Sequence, residues 1–194
     1  MLTPKDPGAT IPQRLEEYGM RLYHFTSLAH LRGIHEHGLT VGDVVTSIER
    51  VEGRVGVWLT SSSSFLGHGL EGAAMDKTAF RLELDVPEDD RLVYWNSWAE
   101  ENISADTRRR LVVANGQSAK TWYIYFGRLS PLLIREVVET ATGEAIADWG
   151  DRCPPEKSVR GVAYESRFSW QNRLFRDVKA VSRAAAVPKL VGRQ

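Results

Sequence analysis

His24 and Trp58 are the residues of this chain best suited to chemistry, and each stands in a short apolar stretch bordered by small hydroxyl residues. His24 lies in Arg21-Leu22-Tyr23-His24-Phe25-Thr26, and Trp58 lies in Gly56-Val57-Trp58-Leu59-Thr60-Ser61-Ser62. A neutral imidazole both donates to and accepts from a hydroxyl group. An indole offers a flat, electron-rich face to a planar or cationic ring. Other candidates are weaker. His35 and His37 are two apart on an expected helix and do not share a face, and His30 and His37 lack the four-residue spacing of a zinc pair. No metal is therefore expected. Ser61 to Ser64 lacks the Gly-x-Ser-x-Gly arrangement of a nucleophile elbow. Arg108-Arg109-Arg110 reads first as a solvated helix face, and Gly67-His68-Gly69 first as a turn.

The elements that must position these residues follow from the pattern. Arg21 to Phe25 reads as a strand. Leu28, Leu31 and Ile34 repeat at helical spacing after Ser27, and Gly38 follows, so a helix is expected over Leu28 to His37. Thr40 to Arg54 is polar and reads as a loop suited to a lid. Val55 to Thr60 reads as a buried strand. Thr78 to Val86 alternates, with Phe80, Leu82, Leu84 and Val86 facing one way. A helix capped by Ser104 or Asp106 runs to about Ala114, and Thr121 to Phe126 and Leu132 to Thr140 read as strands. In the tail, Trp170, Leu174, Val178 and Val181 line one helical face, with Ser169 as candidate cap and Val187-Pro188 as the stop. Few helices among several short strands predict an α+β fold, a split mixed or antiparallel β-sandwich with a helical C-terminal tail.

Composition sets the bounds. The chain has 194 residues, of which 42% are hydrophobic and 26% charged, as in a globular domain. It has no apolar run long enough to span a bilayer, and residues 1–13 lack the basic-then-apolar order of a secretory signal. The single cysteine, Cys153, cannot close an internal disulfide, which favours a reducing compartment, so a cytoplasmic protein without membrane contact is expected. The net charge is zero but uneven. Residues 1–156 hold 16 Lys and Arg against 23 Asp and Glu, whereas 157–194 hold 9 against 2. The tail reads either as a helix docked on an acidic body or as an arm that contacts nucleic acid. The expected organisation is an arm over 1–20, a domain over 21–140, a linker over 141–156 and a basic helical tail over 157–194.

With these motifs in order, the chain resembles the ADP-ribosyltransferase-like superfamily, on the side whose motif triad is His, Tyr, Glu and which includes bacterial toxins. Tyr23-His24-Phe25-Thr26 resembles the first-strand motif, and the helix followed by Gly38-Leu39 resembles the next element. Gly56-Val57-Trp58-Leu59-Thr60 resembles the second motif, with Trp58 where Tyr is usual, and Trp122-Tyr123-Ile124-Tyr125 resembles the third strand. The resemblance implies that NAD is bound as a substrate and that ADP-ribose passes to a macromolecular acceptor, protein or nucleic acid, in a bacterial or phage toxin-like setting. It implies that His24 bonds a ribose hydroxyl, the backbone at Phe25 reads the carboxamide, and Trp58 stacks on the nicotinamide, making His24 and Trp58 the catalytic pair. Thr26, Thr60, Ser61 and Trp122 would line the site. At the third motif the family glutamate is replaced: Trp122 stands there, with Thr121 beside it. An acid would have to come from Glu71, Asp76, Glu100 or Glu101. Otherwise the domain binds a nucleotide without turnover, or acts on nucleic acid like the related RNA 2′-phosphotransferases.

Overall fold

The computed structural model describes residues 19–70 and 75–186, with the side chains of 113–118 and 184–186 left aside. The fold is α+β. The first strand, β1 (Gly19–Thr26), leads through a 3-10 turn at Leu28–His30 into α1 (Leu31–His37), and two short strands follow, β2 (Asp43–Ser47) and β3 (Glu52–Val55). Next come β4 (Val57–Thr60), β5 (Phe80–Pro87), β6 (Leu92–Tyr94), α2 (Trp95–Asn102) and α3 (Ala105–Asn115). The chain continues through β7 (Trp122–Tyr125), β8 (Ile134–Glu139), β9 (Glu144–Ala145) and the long α4 (Arg167–Ala186). Seven strands form one sheet in the order β6-β7-β4-β1-β5-β8-β9, and every pairing in it is antiparallel. β2 and β3 make a separate two-stranded sheet.

Two apolar clusters lie on opposite faces of the large sheet. On one face Leu22, Val57, Leu59, Leu82, Leu84 and Tyr125 meet Leu31 and Ile34 of α1. On the other, Ile124 and Trp122 meet Trp95 and Ala99 of α2 and Val44 of β2. The strict alternation of β5, with Phe80, Leu82, Leu84 and Val86 buried, matches its pattern in sequence. Thus β1 and β5 form the centre of the sheet, paired from Gly19↔Pro87 to Thr26↔Phe80.

Several expectations need correction. Thr40 to Arg54 is mostly a hairpin, not a loop, because Val44, Val45 and Ser47 pair across it with Arg54, Gly53 and Glu52, with a bulge at Thr46. Val55 to Thr60 is broken at Gly56 into the end of β3 and the whole of β4. A Cβ at Gly56 would lie 2.7 Å from Ile124, so the close passage of the chain there requires glycine. The helix expected over Leu28 to His37 begins as a 3-10 turn, and Ser27 makes no capping bond to the backbone; its hydroxyl goes to His30 Nδ1 instead, at 2.8 Å. Residues 141–156, read as a linker, fold against α1: Trp149 packs on His35 at 4.9 Å, and Cys153 is buried. Helix α4 starts at Arg167, ahead of Ser169. Its Leu174 and Val178 are buried as the pattern requires, whereas Val181 is 52% exposed. The N-terminal arm up to residue 18, Glu71 and the Val187-Pro188 stop lie outside the described residues.

Candidate active site

The ladder of hydrogen-bonded strands is incomplete between β1 and β4. Tyr23 pairs with Thr60, and beyond that point the two strands part. The carbonyl of Trp58 is left facing the gap. His24 Nδ1 lies 2.9 Å from this oxygen and, since a carbonyl only accepts, Nδ1 carries the proton and donates. The imidazole therefore completes the backbone bonding that the ladder omits. Its second nitrogen, Nε2, is left as a hydrogen-bond acceptor. Burial pushes the His24 pKa down to about 4, the bond to Trp58 opposes that shift, and Lys77 and His30 add to it. The ring is neutral at neutral pH. His30 is also held below its ordinary value, first by burial and then by Lys77.

Strand alternation decides which side chains meet. His24 and Thr26 fall on the face of β1 that carries Leu22, opposite Leu82 and Phe80 of β5. Phe25, Trp58, Thr60 and Trp122 fall on the other face, where Trp58 pairs with Ile124 and Thr60 with Trp122. The imidazole of His24 thus touches the peptide of Trp58 and not its indole. The resemblance implies that His24 and Trp58 act together on one bound nicotinamide riboside; here the two side chains lie on opposite faces of the sheet.

The face bearing Trp58 is aromatic. Trp58 Nε1 donates to the Asp43 carbonyl at 2.9 Å, and its ring lies 5.0 Å from Trp95 and 5.5 Å from Trp122. Trp122 Nε1 donates to His68 Nδ1 at 2.8 Å. His68 in turn lies 6.1 Å from Phe25, which meets Phe65 edge-on at 6.2 Å. From its sequence, Gly67-His68-Gly69 reads first as a turn. Gly67 and Gly69 have φ of 76° and 66°, in the left-handed region that favours glycine, and this tight geometry delivers the imidazole to Trp122. The Gly-His-Gly string was the available signal. The hydroxyls of Thr60 and Thr121 lie 2.8 Å apart, Thr60 Oγ1 accepts from the Ser62 amide at 3.0 Å, and the Ser61 amide donates to the Thr121 carbonyl at 2.9 Å. The strand end is thereby closed by a polar clasp.

Trp122, where the resemblance would place an acid, lies across from Thr60, with Thr121 next to it in sequence. Of the acids considered, Asp76 is engaged with the Thr78 amide and hydroxyl, at 2.9 and 2.6 Å. Glu100 pairs with Arg108 at 3.2 Å, and Glu101 is exposed on α2. Arg109 and Arg110 both pair with Asp106, so the arginine run is a paired, solvated face of α3. Among the described residues no group of three or more His, Cys, Asp or Glu side chains could hold a metal ion. No helix among them is long and apolar enough to cross a membrane. No family model matches the chain, and no curated protein matches it.

Proposed function

We propose that the chain is an ADP-ribosyltransferase-like protein that binds NAD at the seam between β1 and β4 and passes ADP-ribose to a macromolecular acceptor. One observation carries the reading. An imidazole on the central strand is fixed by its Nδ1–H to a backbone carbonyl where two strands part, and it is kept neutral with Nε2 as an acceptor. That atom suits a ribose hydroxyl donor. A split antiparallel sheet with short helices is the setting that the resemblance implies for such a histidine.

The chemistry follows. Nicotinamide leaves C1′ of the ribose with the bonding electron pair, positive charge builds on the sugar, and a nucleophile of the acceptor bonds to C1′. A neutral His24 adds no positive charge beside that centre, whereas an imidazolium would oppose it. The backbone at Phe25 reads the carboxamide. Trp58 stands on the other face of the sheet from His24, packed against Trp95 and Trp122, so it borders the seam and does not share the ribose contact. Thr26, Thr60 and Ser61 border the site with small hydroxyls. A second reading, NAD binding without turnover, is favoured by one specific feature: Trp122 and Thr121 stand where the catalytic acid is expected.

The test is titration calorimetry with NAD, together with chromatographic assay of nicotinamide release in the presence of protein and nucleic-acid acceptors. Binding that is lost in His24→Asn, with release by the wild type, supports the transferase. Binding without release supports the second reading. No binding by a folded wild type overturns both.

A further inference from the structure

A concave surface rich in arginine lies away from the seam, along α4. A groove of about 680 Å³ runs between α4 and residues 160–163, and His37, Arg160, Trp170, Arg173 and Arg176 line it. Arg173 stacks on Trp170 at 3.6 Å and has carboxylates of Asp43 and Asp177 each 3.8 Å away. Arg160 and Arg176 have neither an ion pair nor a hydrogen bond to any described residue. The three arginines of α3, by contrast, all find acids. A second groove of about 410 Å³ follows the other flank of α4, lined by Arg54, Phe126, Arg167 and Phe168. Phe168 is 75% exposed, and Phe175, two turns further along the same stripe of the helix, is also exposed. Lys179 and Arg183 extend the basic face beyond the grooves.

We propose that α4 and its flanking grooves bind single-stranded nucleic acid, with phosphates on Arg160 and Arg176 and bases stacked on Phe168 and Phe175. Guanidinium groups without acidic partners beside unshielded aromatic rings are what such a strand needs, because the backbone supplies the anions and the unpaired bases supply flat faces. A duplex offers no open base faces. A lipid surface fits poorly, because the apolar stripe of α4, Leu174 and Val178, is already buried against the protein. The surface includes no residue of the seam, so the proposal holds whether or not NAD is turned over.

Fluorescence anisotropy of a labelled oligothymidine with the full chain, over a range of salt, tests it. Wild type should bind with an affinity that falls steeply as salt rises. The double variant Arg160→Gln, Arg176→Gln should bind about tenfold more weakly, with a slope of log affinity on log salt shallower by about 1.4. Phe168→Ala should weaken binding of the oligonucleotide while leaving competition by inorganic polyphosphate unchanged. Both variants alter exposed side chains, and unchanged circular dichroism confirms their folding. Salt-independent or undetectable binding overturns the proposal. So does an unaltered double variant, or preference for polyphosphate or phosphatidylserine vesicles over the oligonucleotide.

Discussion

His24 does two things at once: it satisfies a main-chain oxygen and it stays uncharged. Both have measurable consequences. Its pKa in the folded protein is about 4, against an ordinary value near 6.5. Between those values the unfolded chain binds the proton that the folded chain refuses, so the contribution of a neutral His24 is full above pH 6.5 and falls as the pH drops toward 4. The loss at the acid end is of order 3 kcal/mol. Urea unfolding from pH 7.5 down to 4.5 should show this decline, and His24→Asn should flatten it, since its amide can still donate to the Trp58 carbonyl but does not titrate. His24→Ala should cost about 1–3 kcal/mol at pH 7, by leaving that buried carbonyl without its donor. Unfolding of both variants at one pH separates the two effects. The type and position of His24 were legible in the sequence. The face it takes was not. Alternation along β1 is readable, but which partner strand breaks away from it depends on contacts distant in sequence.

At the scale of elements, the sequence was most legible where a pattern was long and regular. β5 alternates without exception, and α3 begins beside Ser104, whose hydroxyl accepts from the Thr107 amide at 3.4 Å. It was least legible where burial came from distant partners. The hairpin of β2 and β3 looks polar because its outer residues are solvated, and α2 was missed because its apolar side is built from tryptophans, Trp95 above all, and not from an aliphatic stripe. The packing of α1 on residues 159–163 had no readable signal beyond two glycines. A Cβ at Gly33 would lie 2.6 Å from Gly161, and one at Gly161 would lie 2.6 Å from the Gly33 carbonyl oxygen. The Val159 amide donates to the Ala29 carbonyl at 2.7 Å, and Thr40 Oγ1 donates to the Val162 carbonyl at 2.6 Å. Gly161→Ala should therefore force the two segments apart and destabilise the protein by about 1–3 kcal/mol. A lower urea midpoint with an unchanged slope checks this, and a neutral result would mean the contact yields without cost.

For the whole molecule, the basic tail is part of the fold. A two-stranded sheet is marginal by itself, and α4 covers the β2–β3 sheet. Leu174 packs at Gly53, Gln171 Nε2 donates to the Gly53 carbonyl at 2.9 Å, and Arg167 Nη2 donates to the Val55 carbonyl at 2.8 Å. Burial of Leu174 and Val178 contributes about 1.5–3 kcal/mol each. Deleting 167–194 should lower the melting temperature by several degrees and raise binding of a hydrophobic dye, whereas a dispensable tail would leave both unchanged. Where the tail docks was not legible from its residues, because charge counts register imbalance and not geometry. Asp43 is the hinge-pin of that docking. Its carbonyl holds the indole of Trp58, and its carboxylate accepts from the indole of Trp170 at 2.7 Å while sitting near Arg173. One residue, through its backbone on one side and its side chain on the other, thus joins two tryptophans far apart in sequence. A polyanion that draws Arg173 away removes a cation from the face of Trp170 and from the Asp43 carboxylate that holds its indole, so occupancy of the tail should be readable in the emission of Trp170.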